Sequence, residues 1–240
     1  MTRSGTFPLI IQGGMGAAVS DWRLANAVAH TGQLGVVSGT GIDTVFVRRL
    51  QDGDAGGHMA RAMAAFPVPA AAEEAMRRYY RPGGKGTDEP YRMLPLYRQV
   101  MSPARQQLTM LATFVEVFLA KEGHQAPIGI NLLTKIQLPT LATLYGAMLA
   151  GVDYVLVGAG IPRDIPELLD RLVRHEPVAL PLHVTHAGPD EPFELRFAPL
   201  DILAQAPPTL RRPRFLAIVA SATLAVSLAR RTAGVDGFVV

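Results

Sequence analysis

The sequence predicts an α/β fold: βα units around a parallel sheet, in the manner of a (β/α)8 barrel, with about six of the eight strands present and a helical insertion. Three observations predict it. Short continuous apolar runs recur along the chain, and a strand buried on both faces reads as such a run, not as an alternation. Glycines follow several of these runs directly: Gly13-Gly14, Gly39-Thr40-Gly41 and Gly158-Ala159-Gly160. Helix-patterned segments separate the runs, and that alternation is the mark of parallel strands joined by crossover helices.

Taken in order, Pro8-Leu9-Ile10-Ile11-Gln12 reads as a first buried strand that ends on Gly13-Gly14-Met15-Gly16. Glycines there let a ligand approach the backbone with no side chain between them. The C-terminal ends of strands are also where α/β folds place their ligands. A plain strand-to-helix turn would use the same glycines. Ser20-Asp21 has the chemistry of a helix N-cap, for a helix over 22–31 that stops at Gly32. Residues 34–38 are a second buried strand.

Residues 52–123 break the rhythm. They are too long for an ordinary βα connection and carry helical stretches over 60–65, 70–80 and 106–121. A helical insertion is expected, acting as a lid, an interface or a surface excursion. Order resumes with a third strand over 128–133, where Asn131 sits among apolar neighbours and so needs a hydrogen-bond partner in the protein or a ligand. A helix over 138–150, a strand over 152–157 and a helix over 166–175 follow. Within 178–199, two extended segments, 178–184 and 193–198, flank His186-Ala187-Gly188-Pro189-Asp190 and predict an antiparallel hairpin that decorates the barrel. Residues 214–220 are a fifth strand, Ser221 caps a helix over 222–231, and residues 236–240 open a sixth. A chain that stops on an apolar strand, short of eight, is expected to be a fragment: one partial barrel over 1–240.

Composition narrows the function classes. The 240 residues are 49% apolar and 18% charged, against a usual charged share of about 25%, so a packed core is expected. The formal charge is +3 and the basic pairs Arg77-Arg78, Arg211-Arg212 and Arg230-Arg231 are scattered. No basic stripe with interleaved aromatics exists, so nucleic acid is not an expected partner. The absence of cysteine excludes disulfides, cysteine-held iron–sulfur clusters and a cysteine nucleophile. No signal peptide and no membrane-length apolar run is visible, and a soluble cytoplasmic protein is expected.

Familiar catalytic patterns are missing. No G-x-G-x-x-G, G-x-S-x-G or phosphate-loop pattern is complete, and Gly83-Gly84-Lys85 does not lie between a strand and a helix. His183 and His186 are badly spaced for one face of a strand, so no metal is expected there. Asp52, Asp54 and His58 lack the remaining ligands of a calcium loop. Asp153 and Asp236 precede their strands and read as structural. What stands out is the ring of strand ends at Gly13-Gly14-Met15, Gly39, Asn131 and Gly158-Ala159, whose backbone groups suit a flat ring with polar edges, such as a flavin.

On these residues the chain resembles the nitronate monooxygenase (2-nitropropane dioxygenase) family of FMN-dependent TIM-barrel enzymes. The carriers are Ile11-Gln12-Gly13-Gly14-Met15, Leu34-Gly35-Val36-Val37-Ser38, Gly129-Ile130-Asn131-Leu132, Val157-Gly158-Ala159-Gly160 and Gly234-Val235-Asp236-Gly237-Phe238-Val239-Val240. The resemblance implies a flavoprotein oxidoreductase that oxidises alkyl nitronates with O2. It implies that Gln12, the peptide groups of Gly13, Gly14 and Met15, and the Asn131 side chain contact FMN. Ser38, Gly39, Gly158 and Ala159 would line the flavin or substrate pocket. Similar enzymes hold the FMN phosphate after strands seven and eight and carry a catalytic His beyond strand six. Both regions are expected past Val240, and no catalytic base is assigned.

Nitronate-oxidising members often carry a cation on the fifth strand, whereas this strand reads Leu216-Ala217-Ile218-Val219-Ala220. That wholly apolar run and the large insertion resemble the related branch of NAD(P)H- and FMN-dependent enoyl reductases acting on acyl-carrier or polyketide thioesters. The implied partner is a small molecule, an alkyl nitronate or an enoyl thioester, with no nucleic acid or membrane and with a homodimer as the assembly. An inactive partial barrel serving as a binding module is the rival from another class.

Overall fold

A computed structural model describes residues 8–185, 188, 193–203, 206–230 and 234–240. The expected alternation appears as helix α1 (Trp22–His30), strand β1 (Gly35–Ser38) and helices α2 (Ile42–Gln51), α3 (His58–Met63), α4 (Pro69–Tyr79) and α5 (Pro103–Ala120). Strand β2 (Ile128–Leu133), α6 (Thr140–Leu149), β3 (Tyr154–Gly158) and α7 (Ile165–Leu172) follow. The hairpin strands β4 (Val178–Pro181) and β5 (Glu194–Phe197) precede α8 (Pro199–Ile202), β6 (Arg214–Ile218), α9 (Ala222–Ala229) and β7 (Gly237–Val239).

Five strands form one parallel sheet in the order β1-β2-β3-β6-β7, so each strand lies beside its predecessor in that set. Val36 faces Gly129, Asn131 faces Leu156 and Val157 faces Ala217 across successive pairs. The hairpin β4–β5 is antiparallel and separate, pairing Val178 with Phe197. Its expected turn residues His186, Ala187, Pro189 and Asp190 lie outside the described residues, as do Met1 to Phe7 and Arg231. The described residues form no closed barrel.

The sheet has two apolar faces. One carries Ile128, Ile130, Val155, Val157, Phe215 and Ala217 into the main core beneath the helices. The other carries Leu34, Val36, Tyr154, Leu156 and Leu216 in a smaller cluster. Alternate residues point to opposite faces of a strand, so Ser38, Asn131 and Gly158 belong with this second face, at the C-terminal ends. The expected insertion supplies α3, α4 and α5. Of these, α5 is buried along most of its length and packs on α6, α1, α2, β1 and β2.

The first expected strand needs correction. Residues 8–12 form no strand; Ile11 makes a single parallel bridge to Leu34, with Gln12 N donating to Leu34 O (3.0 Å) and Leu34 N to Ile10 O (3.1 Å). The run is not buried either: Leu9 is 93% and Ile10 61% exposed. It is paired along one edge only, and no described element covers its side chains, so an apolar run alone did not guarantee burial. Two helices also went unread, α2 and the single turn α8. Ile42, Phe46, Val47 and Leu50 in α2 carry the helical spacing that would have found it.

Candidate functional site

Glycine, a short hydroxyl and two amides build the mouth of the sheet. Asp21, not Ser20, caps α1, accepting from the N–H groups of Arg23 (3.0 Å) and Leu24 (3.1 Å). That leaves the buried Ser20 for another task. Its Oγ donates to Gly13 O (2.8 Å) and accepts from Met15 N (3.0 Å), while Gln12 Nε2 lies 3.1 Å from it. Gln12 Oε1 accepts from Val36 N (3.0 Å), which ties the Gln12–Met15 stretch across to β1. Ser20 O also accepts from Ser38 N (2.8 Å). No reading of the sequence had placed Ser20 at the centre of this knot; only its position five residues after Met15 could have suggested it.

Asn131 closes the other side. Its side chain is 3% exposed, and Nδ2 donates to Gly14 O (3.1 Å) and approaches Met15 Sδ (2.9 Å). Because Gly14 O can only accept, the amide nitrogen must face it. The carbonyl oxygen is then left: Oδ1 is buried without a hydrogen-bond partner. A buried acceptor without a donor costs roughly 1–3 kcal/mol, so such an atom calls for a reason. Gly14 itself has no room for a side chain, since a Cβ would meet Val36 Cγ1, Asn131 Cβ (2.9 Å) and Val37 O (3.1 Å). Gly39 is equally tight against Leu132, and its N–H donates to Asn131 O (2.9 Å). The N–H groups of Gly13, Gly14 and Gly16 have no protein acceptor among the described residues.

Gln12, Gly13, Gly14, Met15, Ser38, Gly39 and Asn131 are therefore brought together. Gly158 and Ala159 stand apart from the knot. Gly158 faces Leu133 on β2 and packs against Ile218, and the Ala159 carbonyl accepts from Thr134 Oγ1 (2.7 Å). Ala159 instead borders a cleft of about 530 Å3 between the ends of β2 and β3, the start of α7 and the hairpin.

The remaining candidates are structural. Asp153 accepts from Ile128 N (3.0 Å), Lys121 Nζ (2.5 Å) and Arg211 Nη2 (2.7 Å). Asp236 accepts from Phe215 N (2.7 Å) and Arg212 Nη1 (3.0 Å). Asp54 accepts from Met59 and Ala60 N–H at the start of α3, and Asp52 from the Tyr91 hydroxyl. No cluster of metal-binding side chains exists among the described residues. No helix of the described residues is long and apolar enough to cross a membrane. Away from the sheet's mouth, burial and Arg49 oppose one another at Glu116, and burial prevails, raising its carboxyl above the usual range.

No protein-family model matches the chain, and no curated protein matches it either.

Proposed function

We propose that the chain is an FMN-dependent oxidoreductase of the nitronate monooxygenase type, with the flavin ring seated over Gly13, Gly14 and Asn131. The single observation that carries the reading is the buried, unpartnered Asn131 Oδ1 beside a glycine where no side chain fits. An isoalloxazine ring presents one N–H donor flanked by carbonyl acceptors. The orphaned Asn131 oxygen suits the donor, and the unpaired N–H groups of Gly13, Gly14 and Gly16 suit the acceptors. The residues present therefore fit the edge of such a ring. Sequential parallel strand order, and a site at the strands' C-terminal ends, support placing it on a TIM barrel.

Ser20 and Gln12 would hold the glycine backbone rigid, so that little ordering cost falls on binding. Ser38 and Gly39 would form the wall on β1, and Gly158 and Ala159 the far wall. Met15, half exposed over Asn131, would move aside as the ring enters. Bound FMN would accept electrons from an alkyl nitronate and pass them to O2. No described histidine hydrogen-bonds to the knot, so none is assigned as a base.

One observation favours a second reading. At its C-terminal end the face of β6 toward this side carries Leu216 and Ile218, while its cation, Arg214, lies at the opposite end against Tyr154. No cation of β6 thus stands at the mouth to hold a nitronate, which suits an enoyl reductase drawing electrons from NAD(P)H. Titrating FMN into folded protein, followed by flavin fluorescence, tests the shared premise. Saturable micromolar binding, weakened at least tenfold in Asn131→Leu, is expected; a folded chain that leaves FMN fluorescence unchanged overturns it. Reduction of the bound flavin by alkyl nitronate, or by NAD(P)H alone, then separates the two substrates.

A further inference from the structure

The cleft beside Ala159 has a chemistry that the flavin reading does not use. Its floor is apolar and comes from the main core: Leu132, Val157 and Ile165 are all buried. The hairpin supplies a wall through Leu180 and Pro181. That wall is strapped in place by Gln137, whose Oε1 accepts from His183 N (2.7 Å) and whose Nε2 donates to His183 O (3.0 Å). The loop below it is held by Thr134, whose N–H and hydroxyl both reach the Gly158 carbonyl. The cleft is thus bounded by paired backbone, and its size falls within the roughly 300–1,000 Å3 of small-molecule sites.

The rim carries charge in excess. Lys135 and Arg163 line it as cations, with His183 beside them, against Asp164 alone on the anionic side. Elsewhere on this part of the surface arginines are matched: Arg171 and Arg174 with Glu176, Arg196 with Glu194, and Arg212 with Asp170. Neither Lys135 nor Arg163 has a carboxylate within ion-pair distance among the described residues. Two such cations over an apolar floor are complementary to a molecule with one anionic head and an apolar body.

We propose that this cleft binds an amphipathic anion, its carboxylate or phosphate head between Lys135 and Arg163 and its hydrocarbon body over Leu132, Val157 and Ile165. The apolar body supplies most of the affinity, since burial from water is favourable in proportion to area. The head supplies the selection: each exposed ion pair contributes little and is screened by salt, but two cations together favour an anion over an alcohol and repel a cation. The inference stands without FMN: a chain that binds no flavin would still present this cleft.

Calorimetric titration of the full chain with decanoate, decyl phosphate, decan-1-ol and decyltrimethylammonium tests it, each below its aggregation threshold. Saturable one-to-one binding of at least one of the two anions is expected, at least tenfold tighter than either other probe. Which anion binds more tightly identifies the head. Lys135→Glu/Arg163→Glu should weaken anion binding at least tenfold and improve binding of decyltrimethylammonium. Ile161→Trp, at a half-exposed lip position, should close the cleft while circular dichroism remains unchanged. The proposal is overturned if neither anion saturates, if decan-1-ol binds as well as both, or if anion affinity survives both variants. FMN titration of the double variant should give the parent affinity, so failure here is distinguishable from failure of the flavin reading.

Discussion

The two ends of the parallel sheet are built from different chemistry. At the N-terminal end, carboxylates are used up inside the fold. Asp153, just before β3, accepts the first N–H of β2 and binds Lys121 and Arg211. Asp236, just before β7, accepts the second N–H of β6, that of Phe215, and binds Arg212. The same device thus recurs two strands apart: an acidic residue ahead of one strand pins the start of its neighbour. At the C-terminal end the reverse holds. Glycines replace side chains, Asn131 keeps an acceptor with no protein donor, and Lys135 and Arg163 rim a cleft with no ion-pair partner among the described residues. A group already satisfied by its neighbours stabilises the fold; a group left unsatisfied is available to a ligand. The difference teaches which end to test for stability and which for binding.

The sharpest test is Asp153→Ala. Removing it strands the buried N–H of Ile128 and releases two cations, at a cost of about 2–4 kcal/mol by the usual penalties for an unmet donor and a broken, partly buried ion pair. Urea denaturation should show a lower midpoint with an unchanged slope, and the folded protein should bind FMN and decanoate as before. Binding lost along with stability would break the division between the two ends. Gly14→Ala probes the opposite end. Its new methyl meets Val36, Asn131 and the Val37 carbonyl, an overpacking that costs about 1–3 kcal/mol. Here FMN binding should disappear even in conditions where circular dichroism shows a folded chain.

How much of this contrast could be read from the residues alone differs between the ends. The apolar runs over 34–38, 128–133, 152–157 and 214–220 became strands within a residue or two, because a buried parallel strand has few other sequences open to it. Asp153 and Asp236 were legible as structural from their place ahead of strands. Gly13, Gly14, Gly39 and Asn131 were legible as mouth residues for the same positional reason. The Pro8–Gln12 run was misread because its burial depends on what lies over it, and the run itself does not encode that. The Ser20-Asp21 cap was legible as a pair, but not which of the two makes it, because a hydroxyl next to an aspartate can cap either way; Asp21 caps α1 and Ser20 turns to the glycine stretch. The cleft was not legible at all. Lys135, Arg163 and His183 come from three separate segments, and only the β2–β3 pairing and the Gln137 strap bring them to one rim.

Two smaller effects sharpen the comparison further. Asn131→Leu loses the bond to Gly14 O but also removes an orphaned acceptor, so the two changes partly offset and stability should fall by only about 1 kcal/mol. FMN affinity should nevertheless drop at least tenfold, the inverse of the Asp153→Ala pattern; equal losses in both readouts would reduce Asn131 to a packing residue. The smallest effect belongs to the loop between α5 and β2. Arg61 donates twice to Glu122, and that hydrogen-bonded guanidinium holds the Glu122 carboxyl below its ordinary value. A carboxyl with a depressed folded pKa stabilises the fold fully above its unfolded value, and the contribution is lost as the pH falls through the folded one. The pair is open to water, so the loss should be slight and should vanish in high salt. Melting curves of the parent and Arg61→Ala, taken at neutral pH and again below the carboxylate range, should therefore differ slightly in the first case and converge in the second. A gap that persists at low pH would mean that Arg61 acts through the packing of its stem on α3 and not through its charge.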